Sequence, residues 1–478
     1  MLFNSLSFLL FLPLVYMLYW FVFPNQLKRQ NIMLLLASYM FYSFWDWRFL
    51  FLLLFSTGLD YYSGLFMADA KSQVQKRFWF WISIGINLGF LGIFKYYDFF
   101  ATSFAEMLAQ IGWKVNVVLL QIILPVGISF YTFHGLSYVI DIYKDRISPE
   151  RSFVNYALFV SYFPLLVAGP IERATHLLPQ IKAPRVFNFE KSKEGIYQII
   201  WGFFKKVVIA DTCAVYVNTI FENYETANSL TLLLGAIYFA FQIYGDFSGY
   251  SDIALGVSKL FGIDLLRNFN FPYFSRDIAE FWRRWHISLS SWFRDYLYIP
   301  LGGNQGSLTK KIRNTFIIFL VSGFWHGANW TFIVWGALNA FYFLPLLIRQ
   351  KNRTHLTIVA QGRLFPTPKE LFQMLFTFGM TTLAWVFFRA ASVTEAFHYL
   401  KNMFAFSFNG GIQYLSIDRY SIELVALLMV FIGLEWYARE GEHPIRGRFT
   451  ALKASVLILG VLLVGTYSNP SSFIYFQF

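Results

Sequence analysis

Apolar runs recur along nearly the whole chain, and short basic loops separate them. Many of the runs approach the ~20 residues a helix needs to cross a bilayer. Leu6–Phe23 is the first, closed by Lys28 and Arg29. Asn31–Trp45 and Arg48–Phe66 read as a helical hairpin around Asp46, and the basic loop Lys71–Arg77 follows. Phe78–Tyr97 is another span; Val115–Leu124 runs into Pro125, and Val126–Tyr143 continues.

Phe153–Gly169 is apolar and ends at the breaker Gly169-Pro170. The polar stretch Glu172–Glu194, with Arg173, Lys182, Arg185, Lys191 and Lys193, comes next. If every earlier run crosses once, this basic stretch falls outside, against the positive-inside tendency. Either Phe153–Gly169 is re-entrant or one span is miscounted. Irregular backbone at membrane depth is tolerated where it is buried in protein or lines a cavity.

Ile196–Cys213 carries Lys205-Lys206 in mid-helix, and Leu230–Phe247 and Ser248–Ile263 meet at Asp246 and Asp252. These intramembrane carboxylates are expected to pair with basic residues. Asp277–Ile299 reads as one amphipathic helix: Phe281, Trp285, Leu289 and Phe293 recur every four residues, with Arg283, Arg284, Ser288, Ser291 and Arg294 on other faces. Such a helix lies in the interface or lines a wet cavity. Arg349–Lys369 is the most linker-like segment and is placed in the cytoplasm. Leu371–Phe388, Ile422–Tyr437 and Leu452–Tyr467 complete about eleven to thirteen membrane segments. The basic loop Arg439–Lys453 is cytoplasmic in this reading, which puts the tail FIYFQF toward the other side.

One run differs from the rest. Arg313 and Arg349 bracket Asn314–Ile348, in which no Asp, Glu, Lys or Arg occurs. A single helix of that length would extend about 52 Å at ~1.5 Å per residue, well beyond a ~30 Å hydrocarbon core. It must tilt steeply or break, and Gly323 and Gly327, flanking His326, are the obvious place.

Composition agrees. Of 478 residues 57% are hydrophobic and 14% charged, against roughly 25% charged in soluble proteins. The chain is an all-α polytopic membrane protein, read as a single transmembrane domain over 1–478. The net charge of +12 is spread among the spans, so cytoplasmic loops explain it better than a nucleic-acid face. One cysteine, Cys213, rules out an intramolecular disulfide and a multi-cysteine metal site. The N-terminus lacks a basic n-region and a small-residue cleavage site, so it reads as a retained span. No internal repeat is visible, which weighs against an inverted-repeat transporter.

Seven histidines are present. His355 and His443 lie in polar loops and His176 and His398 in short connections; all four are expected to be solvated. His134, in SFYTFHGLSY, reads as a packed core histidine. His286, in FWRRWHISLS, and His326, in SGFWHGANW, stand in aromatic surroundings instead. Ionisable groups at membrane depth point to function. Burial disfavours imidazolium, and a neutral imidazole suits a general base acting on a hydroxyl. The G-x-S-x-G and H-E-x-x-H patterns are absent, no metal-ligand spacing stands out, and Gly302–Gly306 reads as a plain turn. Arg283, Arg284 and Arg294, with Lys205 and Lys206, could meet a phosphorylated donor or anchor interfacial helices to lipid headgroups.

The blocks EFWRRWHISLSSWFRDYLYIPLGGN, SGFWHGANWTFIVWG, YGDFSGYSDIALG and LPVGISFYTFHGLSYVIDIY resemble the membrane-bound O-acyltransferase family over nearly the whole chain. They are most similar to its bacterial branch that O-acetylates alginate, peptidoglycan and cellulose. The resemblance implies tilted helices around a central funnel, with the catalytic histidine at His326 and the second family histidine at His286. It implies an acetyl donor, acetyl-CoA, approaching from the cytoplasm, with Trp325, Asn329, Arg283, Arg284 and Trp285 expected around it and no bound cofactor or metal. It further implies an acceptor polysaccharide on the far side of a bacterial inner membrane and a separate periplasmic SGNH-type transferase as partner. Two alternatives stand beside this reading: D-alanyl transfer to teichoic acid within the same family, and a transporter or flippase whose histidines relay protons.

Overall fold

The computed structural model describes residues 1–409, 412–414, 424–467 and 473–474, and among these the regular structure is helical throughout. Five helices are long and apolar enough to cross a membrane: Arg48–Ala68, Gln73–Gln110, Ser229–Leu260, Trp330–Ile348 and Pro368–Arg389. Shorter apolar helices cover Leu6–Val22, Phe153–Leu166, Leu424–Ala438 and Thr450–Val464. Tyr475–Phe478 of the aromatic tail lie outside the described residues. The chain divides into two compact units, 1–195 with 254–266, and 196–253 with 267–478.

In the first unit the Arg48–Ala68, Gln73–Leu91 and Ile128–Tyr143 helices pack around a buried carboxyl, Asp60. Its Oδ1 accepts from Ser83 Oγ at 2.6 Å and Asn87 Nδ2 at 2.7 Å. Gly135 faces its Oδ2, where a Cβ would collide. The expected continuation of Val115–Leu124 into the next helix fails: 113–125 is non-helical and largely exposed. Pro125 and the β-branched run disfavour helix, and the Asp98 carboxylate takes the amides of Leu120 and Gln121 at 2.8 and 3.0 Å.

Phe153–Gly169 consists of two short helices, Phe153–Ser161 and Phe163–Ala168, broken at Tyr162. At ~1.5 Å per residue neither crosses a bilayer core. His134 is the packed core histidine expected: its Nε2 accepts the Glu172 N–H at 3.0 Å, pinning the irregular segment after Pro170. His176 is half-buried and bonded through Nδ1 to the Glu172 carboxylate at 2.7 Å, so it is less solvated than expected.

In the second unit a π-helical turn, Phe204–Ala210, buries both mid-helix lysines. Lys205 pairs with Asp252 at 2.6 Å; Lys206 pairs with Asp211 at 2.7 Å and Asp246 at 2.8 Å. The expected pairing of Asp246 and Asp252 holds, and it removes both lysines from any donor or headgroup role. His443, expected in solvent, is 1% exposed and packs against Tyr197.

Arg349–Lys369 lacks the freedom of a linker. Arg283 donates to the Asn352 and His355 carbonyls at 2.7 and 2.8 Å. Arg276 and Arg284 donate to the Thr357 carbonyl at 2.6 and 3.2 Å. Arg439 donates to the carbonyls of Val359, Ala360 and Arg363. Four guanidinium groups thus turn the segment into a strap fixed along its backbone.

Candidate active site

His326 is the last residue of the Leu308–His326 helix, and the next helix begins at Trp330. The charge-free run therefore breaks, as its length requires, just beyond the histidine. Gly327 is extended there, and a Cβ on it would run into the Phe332 ring. Asn329 caps the second helix, accepting the Thr331 N–H at 3.0 Å, while its Nδ2 donates to the Ala391 carbonyl at 3.0 Å. Gly323 has another task. Its missing side chain lets the helix meet the Phe332 carbonyl, and Gly336 does the same against the Phe319 carbonyl. The two helices pack face to face across these glycines.

The expected single helix over Asp277–Ile299 is two. Ile278–Arg284 ends at Trp285, and Ile287–Phe293 begins after His286, whose φ of 42° and ψ of 55° are left-handed. Such a conformation in a non-glycine residue costs energy and concentrates at functional sites. Tertiary bonds impose it: Asn270 N–H donates to the Arg284 carbonyl and Ile287 N–H to the Asn268 carbonyl, both at 2.9 Å, and Ser288 Oγ donates to Asn268 Oδ1 at 2.6 Å. The break turns His286 inward, where it is 1% exposed.

These two breaks bring the histidines together. The ring centroids of His286 and His326 lie 6.4 Å apart. Trp325 touches both, at 6.0 Å from His286 and 4.9 Å from His326. Phe247 closes the other side of His286 at 4.6 Å, and Trp335 and Phe388 wall His326 at 5.1 and 5.3 Å. Trp385 stacks on Trp335 at 5.6 Å and meets Trp285 at 5.0 Å. Nothing in the local sequence marked Phe247, Trp335, Trp385 or Phe388, since each reads as one more apolar residue in a span.

A cavity of about 210 Å³ is lined by residues of the helices that carry the two histidines, though by neither imidazole. Trp282 and Ser290, each four positions from His286, line it, as does Ser322, one turn before His326. Arg294, Asn304 and Arg353 also line it. Arg294 and Arg353 are exposed, with Arg294 bonded to Asp295 at 2.7 Å.

The remaining expected donor residues are placed elsewhere. Arg283 holds the strap. Arg284 is buried against Glu280 at 2.8 Å, and Trp285 is buried among Phe281, Phe269 and Trp385. Arg353 is the cavity cation that sequence reasoning passed over, because it stands in a segment that looked like a linker.

A model of the membrane-bound O-acyltransferase family matches residues 143–388, which include both histidines. The chain is 38% identical to a probable alginate O-acetylase of Azotobacter vinelandii, covering 91% of this chain and 85% of that protein. It is 38% identical to a peptidoglycan O-acetyltransferase of Helicobacter pylori, over 84% and 80%. A teichoic acid D-alanyltransferase of Bacillus subtilis is 30% identical over 45% of this chain and 56% of that protein.

Proposed function

The chain belongs to the membrane-bound O-acyltransferase family and is an O-acyltransferase; on that premise we propose that it takes acetyl groups from a cytoplasmic thioester, acetyl-CoA, and supplies them for O-acetylation of an extracytoplasmic polysaccharide. The meeting of His286 and His326 at 6.4 Å within aromatic walls is the observation that carries this reading.

In the proposed chemistry the donor's acetyl end reaches the histidines past Ser290 and Ser322, and its phosphates lie near Arg294 and Arg353, whose guanidinium groups suit phosphate oxygens. His326 accepts the proton of the attacking hydroxyl as its oxygen bonds to the acetyl carbon. His286 stabilises the charge that develops on the carbonyl oxygen. The carbon–sulfur bond breaks, and the imidazolium of His326 returns the proton to the leaving thiolate. The aromatic walls exclude water that would hydrolyse the thioester. A separate periplasmic transferase of the SGNH type completes delivery to polysaccharide, and the chain resides in the bacterial inner membrane. D-alanyl transfer is the weaker reading, since the D-alanyl relative covers 45% of the chain and the alginate and peptidoglycan relatives 84% or more.

The test is the O-acetyl content of envelope polysaccharide in cells carrying His326→Ala. Loss of O-acetyl groups at normal protein level is expected. Wild-type acetylation would remove His326 from the chemistry.

A further inference from the structure

The strap at 349–369 joins two helices that are long and apolar enough to span the membrane, Trp330–Ile348 and Pro368–Arg389. Both of its ends therefore lie where those helices leave the bilayer. Its backbone is held by arginine side chains on the Asn352, His355, Thr357, Val359, Ala360 and Arg363 carbonyls. Rigid backbone of this kind presents its outward side chains in fixed positions. Those side chains are large and apolar: Leu356 is 68% exposed, Leu364 72% and Phe365 73%. Water alone would not favour three such groups on one short segment. Around them Arg349, Lys351, Arg353 and Lys369 are exposed, and among the described residues none of the four sits in an ion pair. The carboxylate of Glu370 is already taken by Arg363 at 2.8 Å.

Apolar side chains interleaved with free cations at the end of a membrane span match an anionic lipid surface: the apolar groups enter the acyl boundary and the cations meet headgroups. We infer that the strap is a lipid-docking surface, seated on the anionic leaflet of the bilayer that holds the protein. Leu356, Leu364 and Phe365 insert, and Arg349, Lys351 and Lys369 bind phosphate headgroups. Arg353 and Asn352 extend from the same strap into the wall of the cavity. Lipid contact and cavity shape therefore share one pinned element. The inference stands on the fold and does not depend on which acyl group is transferred.

The single cysteine, Cys213, is buried, so Phe365→Cys and, separately, Leu364→Cys can each be labelled with nitrobenzoxadiazole in the full-length protein. The labelled proteins are reconstituted in vesicles of phosphatidylcholine, with or without phosphatidylglycerol. The expected result is quenching by doxyl lipids and a blue shift that grows with phosphatidylglycerol, the growth being lost in Arg349→Gln/Lys351→Gln/Lys369→Gln and at high salt. Quenching by aqueous iodide with indifference to doxyl lipids would overturn the inference. A label shielded from both quenchers would put a protein on this face and overturn it equally, and so would a blue shift indifferent to phosphatidylglycerol.

Discussion

The imidazole rings of His286 and His326 lie 6.4 Å apart, although forty positions separate them in the chain. Two helix breaks produce the meeting. One follows His326 and is stabilised by a glycine that makes room for Phe332; the other passes through His286 itself, in left-handed backbone. Both histidines are consequently at helix ends, where a side chain can be aimed independently of the face its helix packs.

The hairpin behind His326 depends on missing side chains. Gly323→Ala and Gly336→Ala each press a methyl onto a backbone carbonyl of the facing helix, which cannot move aside cheaply. Each is expected to lower stability by about 1–3 kcal/mol. Gly327→Ala presses instead on the Phe332 ring, so Phe332→Leu should relieve that variant and leave Gly323→Ala unrelieved. Thermal unfolding in detergent of the single and double variants checks this, and equal relief of both would contradict the assignment.

Lys205 lies 2.6 Å from Asp252 and 3.9 Å from Glu435, with both carboxyls largely buried. Lys205→Met leaves an uncompensated buried charge and is expected to lose about 3–5 kcal/mol. Lys205→Met/Asp252→Asn should recover part of that loss. Unfolding midpoints of the two variants decide the matter, and a harmless single variant would show the pair to be dispensable.

The Glu172 carboxylate beside His176 holds its imidazole above the usual histidine value, mainly through their hydrogen bond. A folded-state value above the unfolded one means the contact stabilises fully below ~6.5, the unfolded value, and is lost as pH rises through the folded value. Stability of the wild type should therefore fall as pH rises from ~6.5 to the folded value. His176→Gln should flatten this part of the profile. Parallel wild-type and variant profiles would refute the coupling.

Much of this was legible in the chain because it follows from cost. A charge-free run too long for one crossing had to break, and it breaks beside His326. Lysines and aspartates set in apolar helices had to find each other, and Lys205, Lys206, Asp246 and Asp252 do. Other features were hidden because distant residues impose them. FWRRWHIS contains no glycine or proline, and the break at His286 exists because Asn268 and Asn270 take up the adjoining backbone groups. The strap looked like a linker because its order comes from Arg276, Arg283, Arg284 and Arg439, all outside it. His443 stands in a polar stretch and is nonetheless buried, a matter of tertiary packing that local composition does not record.

The central claim is that His326 performs acyl transfer in the aromatic chamber it shares with His286. It is tested most directly by purified protein in proteoliposomes supplied with radiolabelled acetyl-CoA, scoring label transferred to an acceptor hydroxyl. His326→Ala should fold with an unfolding midpoint close to wild type and lose transfer by ~10²–10⁴-fold, the range of a positioned general base. Wild-type transfer by a folded His326→Ala protein would contradict the account.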